Sequence, residues 1–272
     1  MKKINFTKMV ASGNDFVVVP EDKLSAIGYP LSAIARKICD RKFGAGADGL
    51  LVIGKSVKAD IKMRIFNADG SEAEMCGNGA RCMALWGKLN NRKLKGEAIS
   101  IETKAGIIES EVNHDNVKIR LTSPRDLELD IPLKVNNRSL KVNFINTGVP
   151  HAVVFVEGLD KIDVAGIGRA LRNHKRFSPR GTNVDFAEPL SRDSFKIRTY
   201  ERGVEGETLA CGTGTVASAL IFALKGAAGN KIKAQTRGGE ILTVYFAKSG
   251  NSFNNIWLEG RARVVYQGEY YV

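Results

Sequence analysis

Residues 74–81, EMCGNGAR, return 135 residues later as residues 209–216, LACGTGTV. Flanking matches follow in the same order, with stretches of 34–43 echoed in 167–177 and of 103–108 in 236–241. A repeat of about 133 residues is far longer than the roughly 20–50 residues of a solenoid unit. The sequence therefore predicts two similar domains related by a pseudo-twofold axis.

Each repeat combines short strand-like runs with two helices. Strands are predicted by their β-branched content and flanking turn residues at 16–19, 50–53, 117–121 and 152–156. One helix is predicted from Leu31 to Asp40 and is echoed from Val164 to Asn173. A second helix is expected to start at each cysteine motif and to end near Gly87 in one repeat and Gly226 in the other, where a glycine cap is favoured.

The helix after Cys211 has almost no polar residue from Val216 to Leu224, so it needs apolar cover on every side. We therefore expect an α+β fold with two pseudo-symmetric domains, each a rolled, barrel-like, mostly antiparallel sheet around a central helix. The expected boundaries are 1–118, with a returning C-terminal strand at 263–272, and 119–262. An active site is expected in the cleft between the domains, where small-molecule sites are common.

Composition and charge narrow the class of protein. The 272 residues are 43% hydrophobic and carry a net charge of +12, which is typical of a folded domain and compatible with an anionic partner. No apolar run approaches the roughly 18–20 residues of a membrane span, and four cysteines are too few for a disulfide scaffold. We expect a cytoplasmic protein with a small-molecule substrate, no membrane and no nucleic acid, and the basic cluster from Arg169 to Arg180 as a solvated face.

Residues 44–49, GAGADG, fit the G-x-G-x-x-G pattern of a dinucleotide site. That site requires a strand, then the glycines, then a helix whose N-terminus faces the pyrophosphate. Here the predicted helix precedes the glycines and the predicted strand follows them. The order of elements argues against a nicotinamide or flavin cofactor.

Cys76 and Cys211 are the strongest candidates for chemistry. Each precedes a Gly-x-Gly sequence at a predicted helix start, where free backbone N–H groups stabilise an anion and are expected to lower a thiol pKa. A buried structural role suits Cys39 and Cys82, because neither has this context. The cysteine and histidine spacings do not form a zinc pattern, so no metal is expected.

Two thiols can supply the acid and the base that inversion of a stereocentre needs. One base must remove a proton from one face of a carbon, and an acid must return a proton to the opposite face. A thiolate and a thiol could exchange these roles for the reverse direction. Without a pyridoxal ring, the negative charge on the carbon would have to be stabilised by the donors of the two helix starts, 77–78 and 212–213.

Further motifs resemble those of the diaminopimelate epimerases, and the likeness runs nearly end to end: 12–16 SGNDF, 66–71 FNADGS, 76–79 CGNG, 148–151 GVPH, 181–185 GTNVD, 200–203 YERG and 211–214 CGTG. The resemblance implies interconversion of LL- and meso-diaminopimelate, for lysine and peptidoglycan synthesis, by an isomerase without a cofactor. It implies Cys76 and Cys211 as the acid/base pair. It also implies substrate contacts from Asn14, Asn67, Gly77, Asn78, Asn183, Glu201, Arg202, Gly212 and Thr213, with His151 in support.

Two positions depart from the family pattern. Many relatives carry asparagine in place of Val149 and glutamine in place of Gly49, so a polar contact to the substrate is lost or taken over by a neighbour such as Asn146. Two alternatives stay open: a proline or hydroxyproline type of two-cysteine racemase, and a non-catalytic basic binder of nucleic acid. A homodimer is also left open.

Overall fold

The computed structural model describes residues 2–25, 27–91, 94, 96–136 and 138–272. The chain forms two compact units, one of Met1–Ile119 with Gly260–Val272 and one of Arg120–Glu259. Both are sheets with few helices, as an α+β fold requires. Within the described ranges, no helix combines the length and the apolar character needed to cross a bilayer.

The first unit is a mostly antiparallel sheet. Its elements in chain order are β1 (Lys3–Ala11), β2 (Asn14–Pro20), α1 (Glu21–Ser25), α2 (Leu31–Ile38), β3 (Gly49–Gly54), β4 (Ile61–Asn67), β5 (Glu72–Ala73), α3 (Gly77–Asn90), β6 (Ala98–Thr103), β7 (Gly106–Asn113) and β8 (Asn116–Leu121), from which the chain enters the second unit. Parallel pairing joins β2 to β3 and β4 to β6. The strands expected at 16–19, 50–53 and 117–121 lie within β2, β3 and β8.

Helix α3 lies against the sheet of the first unit. It packs on β1, β2, β3, β4, β6 and β7, and a continuous run from Asn78 to Leu85 is buried. A helix in contact with so many strands of one sheet is enclosed by it. The expectation of a sheet around a central helix is confirmed for this unit.

The second unit repeats this plan. Its elements are β9 (Arg125–Val135), β10 (Arg138–Asn146), β11 (Pro150–Phe155), α4 (Val164–Arg172), β12 (Asn183–Pro189), β13 (Ser194–Glu201), β14 (Gly206–Thr208), α5 (Gly212–Leu224), β15 (Lys231–Gln235), β16 (Ile241–Ser249) and β17 (Ser252–Arg261). After β17, the last strand, β18 (Arg263–Tyr271), pairs with β1 in the first unit. The parallel pair β11–β12 matches β2–β3 of the first unit.

Helix α5 is buried from Gly214 to Ala223 and packs on β10, β11, β12, β15 and β16. Its all-apolar composition required such cover, since an exposed face would place leucine and phenylalanine side chains in water. Gly226 follows this helix with φ 103° and caps it in the left-handed region, as expected. The cysteine motif therefore opens the core helix of this unit.

The expected cap at Gly87 is wrong. Gly87 lies inside α3, which continues to Asn90. A Cβ at Gly87 would lie 3.3 Å from Cδ1 of Ile61, so the glycine serves close packing of the helix on β4. Because α3 packs against the sheet, it continues about one turn beyond Gly87, where local sequence preference predicts its end.

The glycine-rich stretch 44–49 closes the end of α2. Its backbone N–H groups at Gly44, Gly46 and Ala47 donate to the carbonyls of Asp40, Ile38 and Cys39. A Cβ at Gly44 would overlap the carbonyl oxygen of Lys37. These glycines allow the chain to reverse direction tightly between α2 and β3. A strand, and not a helix, follows them.

Candidate active site

Cys76 is the N-cap residue of α3. Its backbone is extended, with φ −144° and ψ 122°, and Sγ accepts the N–H of Gly79 at 3.5 Å. The side chain is half-buried. Because the first-turn N–H groups of a helix have no partner within the helix, they stabilise negative charge on this sulfur. Cys76 therefore caps α3 through its sulfur.

A chain of side-chain hydrogen bonds orders the residues behind Cys76. The buried Arg81 guanidinium donates to Asn78 Oδ1 and to Ser12 Oγ, the latter at 2.7 Å. Asn78 then donates through Nδ2 to Asn14 Oδ1 at 2.6 Å, and Asn14 donates to Asp48 Oδ2 at 3.0 Å. Arg81 thus fixes which way both amides point, and Asn14 and Asn78 are brought together.

An ion cluster beside Asn14 anchors this chain. Asp15 lies 2.7 Å from both Lys8 Nζ and Arg41 Nη2, and Arg41 also reaches Asp48 at 2.7 Å. Burial works to raise the pKa of Asp15, but the hydrogen bonds and charges of Arg41 and Lys8 outweigh it and lower the pKa to about 2. The carboxylate therefore stays ionised well into acid.

We expect Asp15 to stabilise the fold in a pH-dependent way. Its folded pKa of about 2 lies below the ordinary value of 3.8, so the stabilisation is complete above about pH 5 and is lost as pH falls towards 2. Asp15→Asn should lower the free energy of unfolding by about 1–2 kcal/mol at pH 7. Urea unfolding at several pH values should show this gap narrowing below about pH 4.

Asp22→Asn provides the control, because Asp22 is exposed on α1. It should change the free energy of unfolding little at any pH. A gap for Asp15→Asn that stays constant down to pH 3 would show that its charge contributes nothing.

Asn67 and Gly49 are paired across the sheet, on β4 and β3. Asn67 donates through Nδ2 to Ser71 Oγ at 2.9 Å in the turn that follows β4, and no contact joins it to Asn14 or Asn78 in the described residues. A Cβ at Gly49 would lie 2.8 Å from the Phe66 carbonyl oxygen. This backbone leaves no room for a glutamine at position 49.

Cys211 occupies the matching N-cap of α5 but has different surroundings. It is buried, and Sγ lies 3.5 Å from Thr213 Oγ1. Burial, followed by the negative charges of Glu201 and Asp185, raises the pKa of this thiol well above its ordinary value. The expectation that a helix start lowers both thiol pKa values is wrong for Cys211, because desolvation and two carboxylates outweigh the helix N-terminus.

Glu201 lies at the end of β13 beside this thiol. Its Oε1 accepts the Thr208 hydroxyl at 2.6 Å. Burial raises the pKa of Glu201, and Asp185 adds to the rise, while the Thr208 hydrogen bond opposes it. Glu201 is therefore a half-buried carboxyl group whose protonated form is favoured.

His151 is fully buried and belongs to the same cluster. Its Nδ1 lies 2.7 Å from Asp185 Oδ2, and its Nε2 lies 3.0 Å from Thr213 Oγ1. Asp185 is not among the site residues predicted from the sequence. An acidic residue flanked by the apolar Val184 and Phe186 was the signal that could have identified it.

Asn183 and Arg202 complete the second unit's cluster. Asn183 Oδ1 accepts the backbone N–H of Arg202 at 2.8 Å, and its Nδ2 lies 3.5 Å from His151 Nε2. Arg202 donates to the Arg180 carbonyl at 3.2 Å. The structure thus connects the candidate residues of this unit. Glu201 and Thr213 lie beside Cys211, and hydrogen bonds lead from Thr213 through His151 and Asn183 to the backbone of Arg202.

A cavity of about 580 Å³ lies beside Arg202 within the second unit. Its lining includes four arginines and one acid, Asp126. Val149 lines it together with Asn146, whose Oδ1 accepts the Gly148 N–H at 3.1 Å and whose Nδ2 faces no acceptor within the described residues. A basic cavity with a spare amide donor can hold a carboxylate.

Two arginines of the basic cluster from Arg169 to Arg180 are paired with acids of the same chain. Arg172 lies 3.1 Å from Glu205, and Arg176 donates to both oxygens of Glu128 at 2.5 Å. A nucleic-acid surface needs arginines that are free to contact phosphates. The pairing favours the solvated face that the sequence predicts.

Cys39 and Cys82 are buried core residues, as expected. Cys82 lies on α3 and Cys39 follows α2. Burial raises the pKa of Cys39 to about 12. Such a thiol stays protonated and unreactive.

The sequence matches the family model described as diaminopimelate epimerase over residues 6–125 and 143–265. It is 43% identical to a diaminopimelate epimerase from Aquifex aeolicus over 276 residues, which cover 97% of each chain. It is 40% identical to one from Methanocella arvoryzae, over 99% of this chain and 97% of that protein.

Solved structures share the fold at low sequence identity. A phenazine biosynthesis protein of the PhzF family from Bacillus anthracis superposes with a TM-score of 0.76 at 20% identity, over 100% of both chains. A hydroxyproline epimerase from Agrobacterium vitis gives a TM-score of 0.70 at 16% identity, over 98% of this chain and 92% of that one. At these identities the likeness concerns the two-domain α+β fold.

Proposed function

The chain belongs to the diaminopimelate epimerase family, and from this premise we propose that it interconverts LL- and meso-diaminopimelate by proton transfer at Cα. The enzyme is then an isomerase of lysine biosynthesis. The observation that carries the proposal is a full-length match to diaminopimelate epimerases in a chain that begins both core helices with Cys-Gly-x-Gly.

The proton transfer uses one thiol from each unit. One thiolate removes the Cα proton, and the other thiol donates its proton to the opposite face of the same carbon. The proton count balances, because one sulfur gains the proton that the carbon loses and the other sulfur gives up its own. The raised pKa of Cys211 supports this thiol as the proton donor in the resting enzyme, with Cys76 as the thiolate.

The negative charge that develops on the substrate needs preorganised donors. Gly77 and Asn78 open α3, and Gly212 and Thr213 open α5. A Cβ at Gly212 would lie 3.0 Å from Leu258 Cδ2, so a larger residue would crowd this helix start. The free N–H groups of both helix starts would bind the α-carboxylate and stabilise the charge as it forms.

We assign recognition of the substrate's distal end, the end away from the reacting Cα, to the second unit. Arg202 suits a two-pronged contact with the distal carboxylate, and Asn183 holds its backbone in place. The basic cavity beside Arg202 supports this assignment, and Asn146 would supply the donor that Val149 lacks. Asn14, Asn67 and Glu201 would contact the remaining polar groups of the substrate.

We also propose a cytoplasmic location, which the four free cysteines support.

Incubation with LL-diaminopimelate in heavy water under reducing conditions tests the function. We expect meso-diaminopimelate to form with deuterium at the inverted Cα. We expect kcat/KM for L-proline or trans-4-hydroxy-L-proline to be at least about 10²-fold lower, because neither carries a second carboxylate at the distance Arg202 requires. Racemisation of proline without any turnover of LL-diaminopimelate would overturn the assignment.

A further inference from the structure

Asp185 is a fully buried carboxylate that the proton-transfer scheme leaves unused. It lies on β12, with Oδ2 2.7 Å from His151 Nδ1 and Oδ1 accepting the Thr199 hydroxyl at 2.7 Å. An ionised group without water is costly unless it is well partnered. A carboxylate at this buried position therefore depends on its two partners, and any function that it serves acts through them.

From Asp185 the contacts lead to the sulfur of Cys211. Because His151 Nδ1 donates to the carboxylate, Nε2 of the neutral ring carries the lone pair. Nε2 then accepts the Thr213 hydroxyl at 3.0 Å, and Thr213 Oγ1 lies 3.5 Å from Cys211 Sγ, where it can accept S–H. The chain of hydrogen bonds has one direction, from the thiol to the carboxylate.

The first unit carries apolar residues at the matching places. In the second unit, His151 faces Asn183 and Asp185 faces Thr199 in the sheet register. In the first unit, the same pairings place Phe16 opposite Gly49 and Leu51 opposite Ile65. The trio of Phe16, Leu51 and Ile65 thus corresponds to His151, Asp185 and Thr199.

The glycines of the two cysteine motifs confirm this correspondence. A Cβ at Gly79 would first meet Leu51, at 3.2 Å, and then Ile65, whereas a Cβ at Gly214 would overlap the Asp185 carboxylate. The first unit therefore packs its helix start with apolar side chains, so the fold does not need polar residues at these places. At these three matching places, only the second unit carries polar residues, namely His151, Asp185 and Thr199.

We propose that Asp185 is a positioning residue for the epimerisation, holding His151 in one tautomer so that Thr213 accepts the Cys211 S–H and orients the thiol. This inference rests on the proposed function. Asp185 does not touch the substrate and no proton leaves it. The charged side chains that act most strongly on Cys211 are Glu201 and Asp185, and His151 lies behind Thr213.

Asp185→Asn tests the proposal, because Thr199 still donates to this side chain. The asparagine oxygen stays with Thr199, so its NH₂ group faces His151 Nδ1 and enforces the opposite tautomer. We expect kcat for LL-diaminopimelate to fall about 100-fold or more while KM changes less than about threefold. The ¹⁵N chemical shifts of His151 should report the change from Nδ1–H to Nε2–H.

Alkylation of Cys211 provides a readout that does not need turnover. In a Cys76→Ala background, Cys39 and Cys82 are too buried to react. Loss of the Asp185 charge removes one cause of the raised Cys211 pKa. The pH at which iodoacetamide begins to react should therefore move down in the Asp185→Asn protein.

Thr199→Val is the matched control, since it removes the other hydrogen bond of the same carboxylate and leaves His151 in place. Its effects on kcat and on the alkylation profile should be at least about tenfold smaller than those of Asp185→Asn. Equal effects of the two variants, or a folded Asp185→Asn protein with unchanged kcat and unchanged alkylation, would overturn the proposal. If no protein epimerises diaminopimelate, the function fails, and the alkylation and ¹⁵N data still decide the role of Asp185.

Discussion

Replacement of Cys211 by alanine is expected to abolish inversion at Cα while leaving one-sided proton exchange. Cys76 remains as a base and can remove the proton from the isomer that presents it to this sulfur. Without an acid on the opposite face, a solvent deuteron can return only to the side that lost the proton. Epimerisation should fall by about 10²–10⁴-fold, the usual contribution of a general acid or base.

The measurement follows both diaminopimelate isomers in heavy water by NMR and chiral chromatography. Cys211→Ala should incorporate deuterium into one isomer without inverting it, and Cys76→Ala should do so with the other isomer. Cys82→Ala is the control, because Cys82 lies on the same helix as Cys76 but is buried in the core. It should retain activity within about threefold. Either catalytic variant inverting at more than a tenth of the parent rate would exclude the two-thiol scheme.

Gly214→Ala is expected to be far more damaging than Gly79→Ala, although the two glycines hold matching places. The new Cβ at position 214 would overlap the Asp185 carboxylate in a fully buried setting. The carboxylate must then move away from His151 or the helix must shift. We expect a loss of about 1–3 kcal/mol of stability and of about 10²-fold in kcat.

At position 79 the new Cβ would meet the end of the Leu51 side chain at 3.2 Å. A leucine can give way by a few tenths of an ångström, and the Gly79 N–H that binds Cys76 remains. We expect a loss below about 1 kcal/mol and below about tenfold in kcat. Urea unfolding and kcat of the two variants, measured together, test the asymmetry, and equal losses would argue that no special role attaches to Asp185.

The core of the fold was predictable because its signals are local. The apolar composition of α5 required burial on all sides, and α2 and α4 begin at the predicted residues. Gly87 shows where local rules fail, since the close approach of Ile61 is a contact between residues far apart in the chain. A glycine that ends one helix can be a packing residue in another.

The candidate site was predictable by residue type and much less by electrostatic behaviour. Two cysteines at matching helix starts suggested two similar thiols with lowered pKa values, yet Glu201 and Asp185 beside Cys211 raise the pKa of that thiol. Those carboxylates come from β13 and β12, and their charge at the sulfur depends on how these strands are placed against α5. Asp185 itself escaped notice because its partner, His151, lies 34 residues away on another strand.

The sequence by itself determined the duplication, the central helices, the two candidate cysteines and the family, since repeats, periodicity and motifs are properties of order along the chain. The tertiary structure alone decided that the two halves are chemically unequal. A thiol's protonation depends on burial and on the sum of nearby charges, and these arise only when distant strands converge on one helix start.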